Sequence, residues 1–256
     1  MLHMRTGGPN VPFPDHEAAI MGTNFRPAAL VASRMDHTRV YVGWDCHDPR
    51  ALDVCLFSLQ RHASDLVEIV SLKPKTVTAL CGPDPDPSGE KQALARYLVP
   101  SLNDFDGWAV FVSSDVLFQA DIYELWQHRD PQFAVMGVPA AAAIGPAGAF
   151  RTSLLMWNCG HPANRRLTPD AVAGQDAESL ARFGWLQRSM IGALPSAWCW
   201  REGESDPAQP PKAIEFAPCK PWVSEVNLCQ YADRWHDEAA RIFGALTPTV
   251  GRAARA

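Results

Sequence analysis

The centre of the chain contains an apolar run that ends in three polar residues, and this run decides the fold. It reads Gly107-Trp108-Ala109-Val110-Phe111-Val112-Ser113-Ser114-Asp115-Val116-Leu117-Phe118. A continuous apolar run such as 108–112 is typical of a strand that is buried on both faces of a sheet. Ligands of open α/β sheets bind beyond the carboxyl ends of the strands, and the three polar residues follow at that point.

Strands and helices alternate around this run. Arg39–Trp44 and Val67–Leu72 are short β-rich segments, and Asp48-Pro49 between them is a helix start, with Asp as N-cap and Pro at the first helical position. A strand–helix–strand order predicts a parallel sheet. The other predicted elements are helices at 90–98, 121–126, 168–186 and 224–243, and strands at 133–138 and 153–157. We therefore predict an α/β fold in one domain, with a mostly parallel central sheet flanked by helices.

Composition restricts the class of protein. The 256 residues are 47% hydrophobic and 20% charged, as in globular domains. We expect a flexible N-terminal extension over 1–36, an α/β domain over 37–245 and a flexible tail over 246–256. The net charge of -5 provides no basic surface for a nucleic-acid partner. Since the sequence contains neither a membrane-spanning apolar run nor a signal-peptide apolar region, we expect no transmembrane segment and a cytoplasmic location.

The seven cysteines are odd in number, and no two form a Cys-x-x-Cys pair. This pattern argues against a zinc site or a disulfide framework and favours reduced cytosolic thiols.

The central run resembles a known family motif. Gly107–Phe118, followed by Asp121-Ile122-Tyr123-Glu124-Leu125, resembles the Asp-x-Asp region of the glycogenin-like nucleotide-sugar glycosyltransferases, and more closely that of their small bacterial relatives. Segments elsewhere that resemble the family in order and spacing are Arg39–Asp45 with Pro49 and Arg50, Arg96–Pro100, Leu155–Pro162 and Lys220-Pro221-Trp222. The resemblance covers about residues 38–240. It implies a GT-A-type, Rossmann-related fold.

The resemblance also implies an activity. The chain would transfer a hexose from a nucleoside diphosphate sugar, a UDP-sugar by analogy, to an unknown acceptor hydroxyl with retention of configuration. The donor-binding residues would be Gly43, Trp44, Asp45, Arg96, Ser114 and Lys220. Mn²⁺ or Mg²⁺ would be held by Asp115, Ser113 and Glu215, and it would neutralise the diphosphate as the glycosidic bond breaks. No catalytic residue is assigned.

The chain departs from the family pattern at three places. Ser113 stands where the first Asp of Asp-x-Asp is expected, Glu215 where a His is expected, and Gln187-Arg188-Ser189 where an acidic residue is expected. These changes leave two interpretations open: a modified metal site, or a diphosphate held directly by Arg188 and Lys220. They also raise the alternative of a nucleotide-sugar binding protein without turnover. A nucleotidyltransferase is a weaker alternative, because no Gly-rich phosphate loop follows the first strand.

Each candidate residue also has a purely structural interpretation. Asp115 is a turn cap in that case, Glu215 an edge charge and Arg96 a surface ion pair, and His161 is mainly expected to be structural. Tryptophans 157, 198, 200 and 222 could stack on a ligand, but most are expected in the core. The loop 139–148 is either a mobile lid or a plain connection.

Overall fold

The structure is a computed structural model that describes residues 38–44, 49–82, 90–140, 149–217, 219–223 and 229–244. The strands are β1 Thr38–Gly43, β2 Val67–Leu72, β3 Trp108–Ser113, β4 Val116–Phe118, β5 Val135–Pro139, β6 Phe150–Asn158, β7 Ile191–Ala193 and β8 Ala213–Glu215. The α-helices are α1 Pro49–His62, α2 Pro74–Cys81, α3 Glu90–Ala93, α4 Val99–Leu102, α5 Ile122–Trp126, α6 Pro169–Ala173, α7 Ala177–Ala181 and α8 Ala232–Phe243. Short 3₁₀ helices cover Leu94–Tyr97, Pro162–Arg166, Arg188–Met190 and Ser196–Cys199.

Six strands form the central sheet, in the order β2-β1-β3-β6-β5-β7. β1 runs parallel to β2 and β3, and β5 runs parallel to β7. β6 runs antiparallel to both of its neighbours, β3 and β5. β4 and β8 pair antiparallel in a second, two-stranded sheet. The predicted α/β fold with a mostly parallel central sheet is therefore confirmed.

The apolar run 108–112 becomes β3, with a parallel neighbour on one side and an antiparallel neighbour on the other. Successive side chains of a strand point to opposite faces, so β3 contributes to two cores. Val110 and Val112 pack with α1 and α5 on one face, and Ala109 and Phe111 pack with α2 and Trp157 on the other. A third core lies between α1, α8 and the two-stranded sheet.

Helices were predicted less accurately than strands. The region 168–186 forms two short helices, α6 and α7, instead of one. Gly174 ends the first, and Asp176 caps the second by accepting a hydrogen bond from the Ser179 amide at 2.7 Å. The last helix begins at Ala232, whereas the predicted start at 224 lies outside the described residues. α2 has no counterpart in the prediction.

Several predicted regions lie outside the described residues. They are the extension 1–36, the tail 246–256, Asp45 and most of the loop 139–148. Within the described ranges, each helix is too short or too polar to cross a bilayer.

The expectation of reduced thiols is wrong for one pair of cysteines. Cys219 and Cys229 form a disulfide across ten residues, with their Cα atoms 5.8 Å apart. Spacing alone does not identify such a pair, because a loop has to bring the two thiols together. Cys55, Cys81, Cys159 and Cys199 lie outside this disulfide and are buried.

Candidate functional site

The ends of β1 and β3 lie side by side at one edge of the central sheet. Gly43, the last residue of β1, is in register with Ser113, the last residue of β3. The Ser114 amide donates a hydrogen bond to the Gly43 carbonyl at 3.1 Å. Trp44 follows β1, and its half-buried indole packs against the core that contains α1. The structure thus brings four predicted site residues together.

Gly43 is needed for close packing. A Cβ atom at this position would lie 2.8 Å from the Phe111 ring, which is closer than real Cβ contacts. The guanidinium of Arg96 lies over the same ring, 5.4 Å from its centroid. The absence of a side chain at Gly43 therefore keeps Phe111, and Arg96 above it, beside the strand ends.

Arg96 is held by neutral oxygens. Its Nε donates to the Ala93 carbonyl at 2.9 Å, and its Nη1 donates to the carbonyl at 3.1 Å and the hydroxyl of Thr152. Thr152 lies near the start of β6, which the antiparallel direction of that strand brings to this edge. No carboxylate among the described residues hydrogen-bonds to Arg96, and its charge acts to lower the pKa of the neighbouring Asp115. The N–H groups of Arg96 that remain unbonded can donate to an anion.

Asp115 occupies the turn between β3 and β4. Its carbonyl accepts a hydrogen bond from the Phe216 amide at 3.0 Å, and the Ser113 hydroxyl bonds to its carboxylate. Its Oδ1 is buried and has no hydrogen-bond partner in the described part of the chain. Burial, and then the charge of Glu215, raise the pKa of Asp115 above its ordinary value. An unpartnered buried oxygen of this kind is suited to accept a hydrogen bond from a ligand.

We expect Asp115→Asn to increase the free energy of unfolding by about 1 kcal/mol at pH 7, because it removes a buried charge. A carboxyl whose pKa is raised by folding contributes stability below its unfolded pKa, and this contribution is lost as the pH rises through the folded pKa. The advantage of the Asp115→Asn variant should therefore shrink as the pH falls. Guanidinium unfolding at several pH values measures it, with the exposed Asp53→Asn in α1 as the control. A less stable variant at pH 7 would contradict the expectation.

Glu215, at the end of β8, already has a full set of hydrogen-bond donors. Its Oε1 accepts from the Ser153 hydroxyl and from Nη2 of Arg201. Its Oε2 accepts from Nε of Arg201 at 3.1 Å and from the Cys199 thiol at 3.0 Å. Burial by itself would raise the pKa of Glu215, but the hydrogen bonds from Arg201, Ser153 and Cys199 lower it. A carboxylate has about four lone-pair sites, and all of them are used here.

The ion pair of Glu215 is part of a larger network. Nη1 of Arg201 lies 3.0 Å from Glu204, and Arg151 Nη2 lies 3.0 Å from the other oxygen of Glu204. Arg151 is 5% exposed and Glu204 12% exposed, so these charges have little access to water. Two guanidinium groups and two carboxylates make the network neutral. Arg151, Arg201 and Glu204 were not predicted as site residues, and their only signal in the sequence is the spacing of Arg201 and Glu204 in a charged loop.

The predicted metal ligands Asp115, Ser113 and Glu215 are neighbours, since Glu215 pairs with Val116 across the small sheet. They do not match the donor set that Mn²⁺ or Mg²⁺ prefers. Glu215 has no lone pair left, and Asp115 offers one unpartnered oxygen. In the described ranges, no three His, Cys, Asp or Glu side chains are grouped to hold a metal ion.

The remaining candidates are Lys220, Arg188, His161 and four tryptophans. Lys220 is exposed and follows the disulfide-bonded Cys219. The Arg188 guanidinium stacks on Phe150, 4.6 Å from the ring centroid. His161 has the expected structural role, because its Nδ1 accepts a hydrogen bond from the Ala163 amide at a 3₁₀-helix start. The four tryptophans considered as ligand platforms are all buried: 157, 198, 200 and 222.

Sequence comparison identifies a relative of this chain. No protein-family profile matches the chain. Protein CDI of Arabidopsis thaliana is 33% identical over 221 residues, which is 78% of this chain and 85% of that protein.

Several solved glycosyltransferase structures have the same fold. The galactosyltransferase LgtC, solved with donor and acceptor sugar analogs, gives a TM-score of 0.58 at 12% identity, over 80% of this chain and 96% of that one. The glycosyltransferase GlyE of Streptococcus pneumoniae TIGR4 gives a TM-score of 0.58 at 15% identity, and the match covers 79% of this chain and 60% of that one. The bifunctional glycosyltransferase WbbM gives a TM-score of 0.56 at 16% identity, and the match covers 80% of this chain and 50% of that one. The chain therefore shares its GT-A-type fold with these glycosyltransferases.

Proposed function

This chain belongs to the family of Protein CDI, and on that premise, together with its GT-A-type fold, we propose that it binds a nucleoside diphosphate sugar and transfers the sugar to an acceptor hydroxyl. The donor is a UDP-hexose by analogy with the glycogenin-like enzymes. Because a fold does not specify a reaction, the proposal depends on the residues at the strand ends.

The observation that carries the proposal is the meeting of Arg96 and Asp115 beside Gly43 at one edge of the sheet. Arg96 offers a positive charge that no bonded carboxylate of the described residues cancels, and Asp115 offers a buried oxygen without a partner among them. A sugar nucleotide needs both chemistries: donors for its diphosphate and acceptors for its hydroxyl groups. Open α/β sheets bind nucleotides at this edge.

The proposed roles follow from these positions. Arg96 contacts the diphosphate through Nη2, since its Nε and Nη1 are already bonded. Asp115 accepts a hydrogen bond from a ribose or sugar hydroxyl. Gly43, Trp44 and Ser114 form the wall that faces the nucleoside, and Lys220 contributes a second positive charge.

We expect Arg96→Ala to weaken UDP binding about 10- to 100-fold, because a hydrogen bond to a charged group contributes about 1.5–3 kcal/mol. Arg96→Lys should recover part of the affinity, since it keeps the charge and loses the planar geometry. Isothermal titration calorimetry with UDP measures both variants. The exposed Arg182, paired with Glu178, gives the control Arg182→Ala. Failure of the unmodified chain to bind UDP or a UDP-hexose would refute the proposal.

The second candidate is a binding protein that keeps the donor site without turnover. It is favoured by the saturation of Glu215, which leaves no lone pair for chemistry. The two functions differ in one measurement, the release of UDP from UDP-glucose or UDP-galactose over hours. A transferase slowly hydrolyses its donor with water as the acceptor, whereas a binding protein returns the donor intact.

A further inference from the structure

Arg201 has the surroundings that a metal ion would have. Three of its N–H groups point at carboxylate oxygens, two on Glu215 and one on Glu204. Glu215 is 1% exposed and Arg201 is 22% exposed, so the guanidinium lies between this carboxylate and the solvent. A ligand that approaches from the solvent therefore meets Arg201 before Glu215.

The balance of charge is also that of a metal site. A divalent cation held by two carboxylates is neutral as a whole. Arg201 and Arg151 together carry two positive charges, and they are held by the two carboxylates Glu204 and Glu215. Arg201 keeps two of its five N–H groups without a partner among the described residues. Those groups can donate to an anionic oxygen as the open side of a metal would accept one.

We propose that the Arg201 guanidinium stands in the place of the divalent cation, so that this chain holds its nucleoside diphosphate without a metal ion. The inference rests on the proposed function, because it assumes the diphosphate ligand. Arg151 acts on Arg201 through Glu204 and is a positioning residue. Its Nη1 is tied to the Cys199 carbonyl, which fixes the network to the segment next to β8.

The first experiment is UDP binding by calorimetry in two buffers, one with EDTA and one with Mn²⁺. We expect the affinities to differ by less than about threefold. Binding that weakens more than about tenfold in EDTA would overturn the inference and leave the proposed function intact. Absence of binding in both buffers would overturn the proposed function, and the inference with it.

The second experiment measures Mn²⁺ directly, with protein alone, by the loss of the electron paramagnetic resonance signal of the free ion. We expect the unmodified chain and Arg201→Lys to leave Mn²⁺ free. Arg201→Met exposes three carboxylate oxygens to the vacated space, so it should gain one Mn²⁺ site at least about tenfold tighter than background. Arg201→Met/Glu215→Gln should lose that site again.

Two results would contradict the inference: one equivalent of Mn²⁺ bound by the unmodified chain, or a folded Arg201→Met variant with no added affinity for Mn²⁺. If Arg201→Met does not fold, the titration of the unmodified chain decides alone. The readout is metal binding, so it does not depend on whether the protein turns over a sugar nucleotide.

Discussion

Glu215→Gln should lower the free energy of unfolding by about 3 kcal/mol at pH 7, because it leaves Arg201 without its main partner. Breaking a buried ion pair from one side typically removes about 3–5 kcal/mol. We expect the lower end of that range, since Arg201 is 22% exposed and water can replace part of what is lost. Urea unfolding at neutral pH measures the difference.

The pH dependence gives this prediction a second test. The folded-state pKa of Glu215 lies below the ordinary value of 4.5, so the ion pair stabilises the protein above pH 4.5, and that stability is lost as the pH falls through the folded pKa. The amide that replaces the carboxylate in Glu215→Gln does not titrate, and the gap between the two proteins should narrow in acid. The control is Glu178→Gln, which removes an exposed pair with Arg182 and should change stability by less than about 0.5 kcal/mol. If Glu215→Gln and Glu178→Gln lowered the free energy of unfolding equally, burial would contribute nothing to the stability of the Glu215 ion pair.

Trp157→Ala should lower the free energy of unfolding by about 4 kcal/mol, the range for deleting a fully buried large side chain. Trp157 is 0% exposed and stacks on Trp185, with ring centroids 6.3 Å apart and planes at 16°. Tyr97 and Phe183 contact it edge-on. Its removal opens a cavity beneath β3 that these rings cannot fill without moving. The transition midpoint in guanidinium measures the change.

Trp157→Phe is the matched control for cavity size. The indole Nε1 is buried without a hydrogen-bond partner in the described part of the chain, so Phe loses no hydrogen bond. We expect it to lower stability by about 1 kcal/mol, because part of the ring volume is kept. Similar losses of stability in Trp157→Ala and Trp157→Phe would mean that the aromatic cluster around Trp157 depends on the stacking of the indole ring rather than on side-chain volume.

The longer strands of the central sheet could be predicted from sequence because each is coded locally. β2 has the predicted bounds, and β3 extends the predicted run by one residue. The positions of Gly43 and Ser113–Asp115 at the strand ends could be predicted for the same reason, because these residues directly follow apolar runs. The paired β4 and β8 have three residues each and were not predicted as a sheet, because their pairing joins segments about a hundred residues apart.

The charge network could not be predicted from sequence. Glu215 was singled out by its position in a family pattern, but its four donors come from three residues in two separate segments. Arg201 lies in a stretch rich in Pro and charge, where most arginines are solvated. Only the folded chain shows that this arginine is turned inward onto Glu215. Burial of a charge depends on long-range packing, and no local pattern encodes it.

The disulfide between Cys219 and Cys229 has a practical consequence for anyone who prepares this protein. Dithiothreitol and similar reductants, which are added routinely during purification, would open the ring that contains Lys220, Pro221 and Trp222. The ring centroids of Trp222 and Trp235 lie 5.6 Å apart, so this segment packs directly against α8. Nucleotide affinities from different laboratories are comparable only when the thiol content of each sample has been titrated.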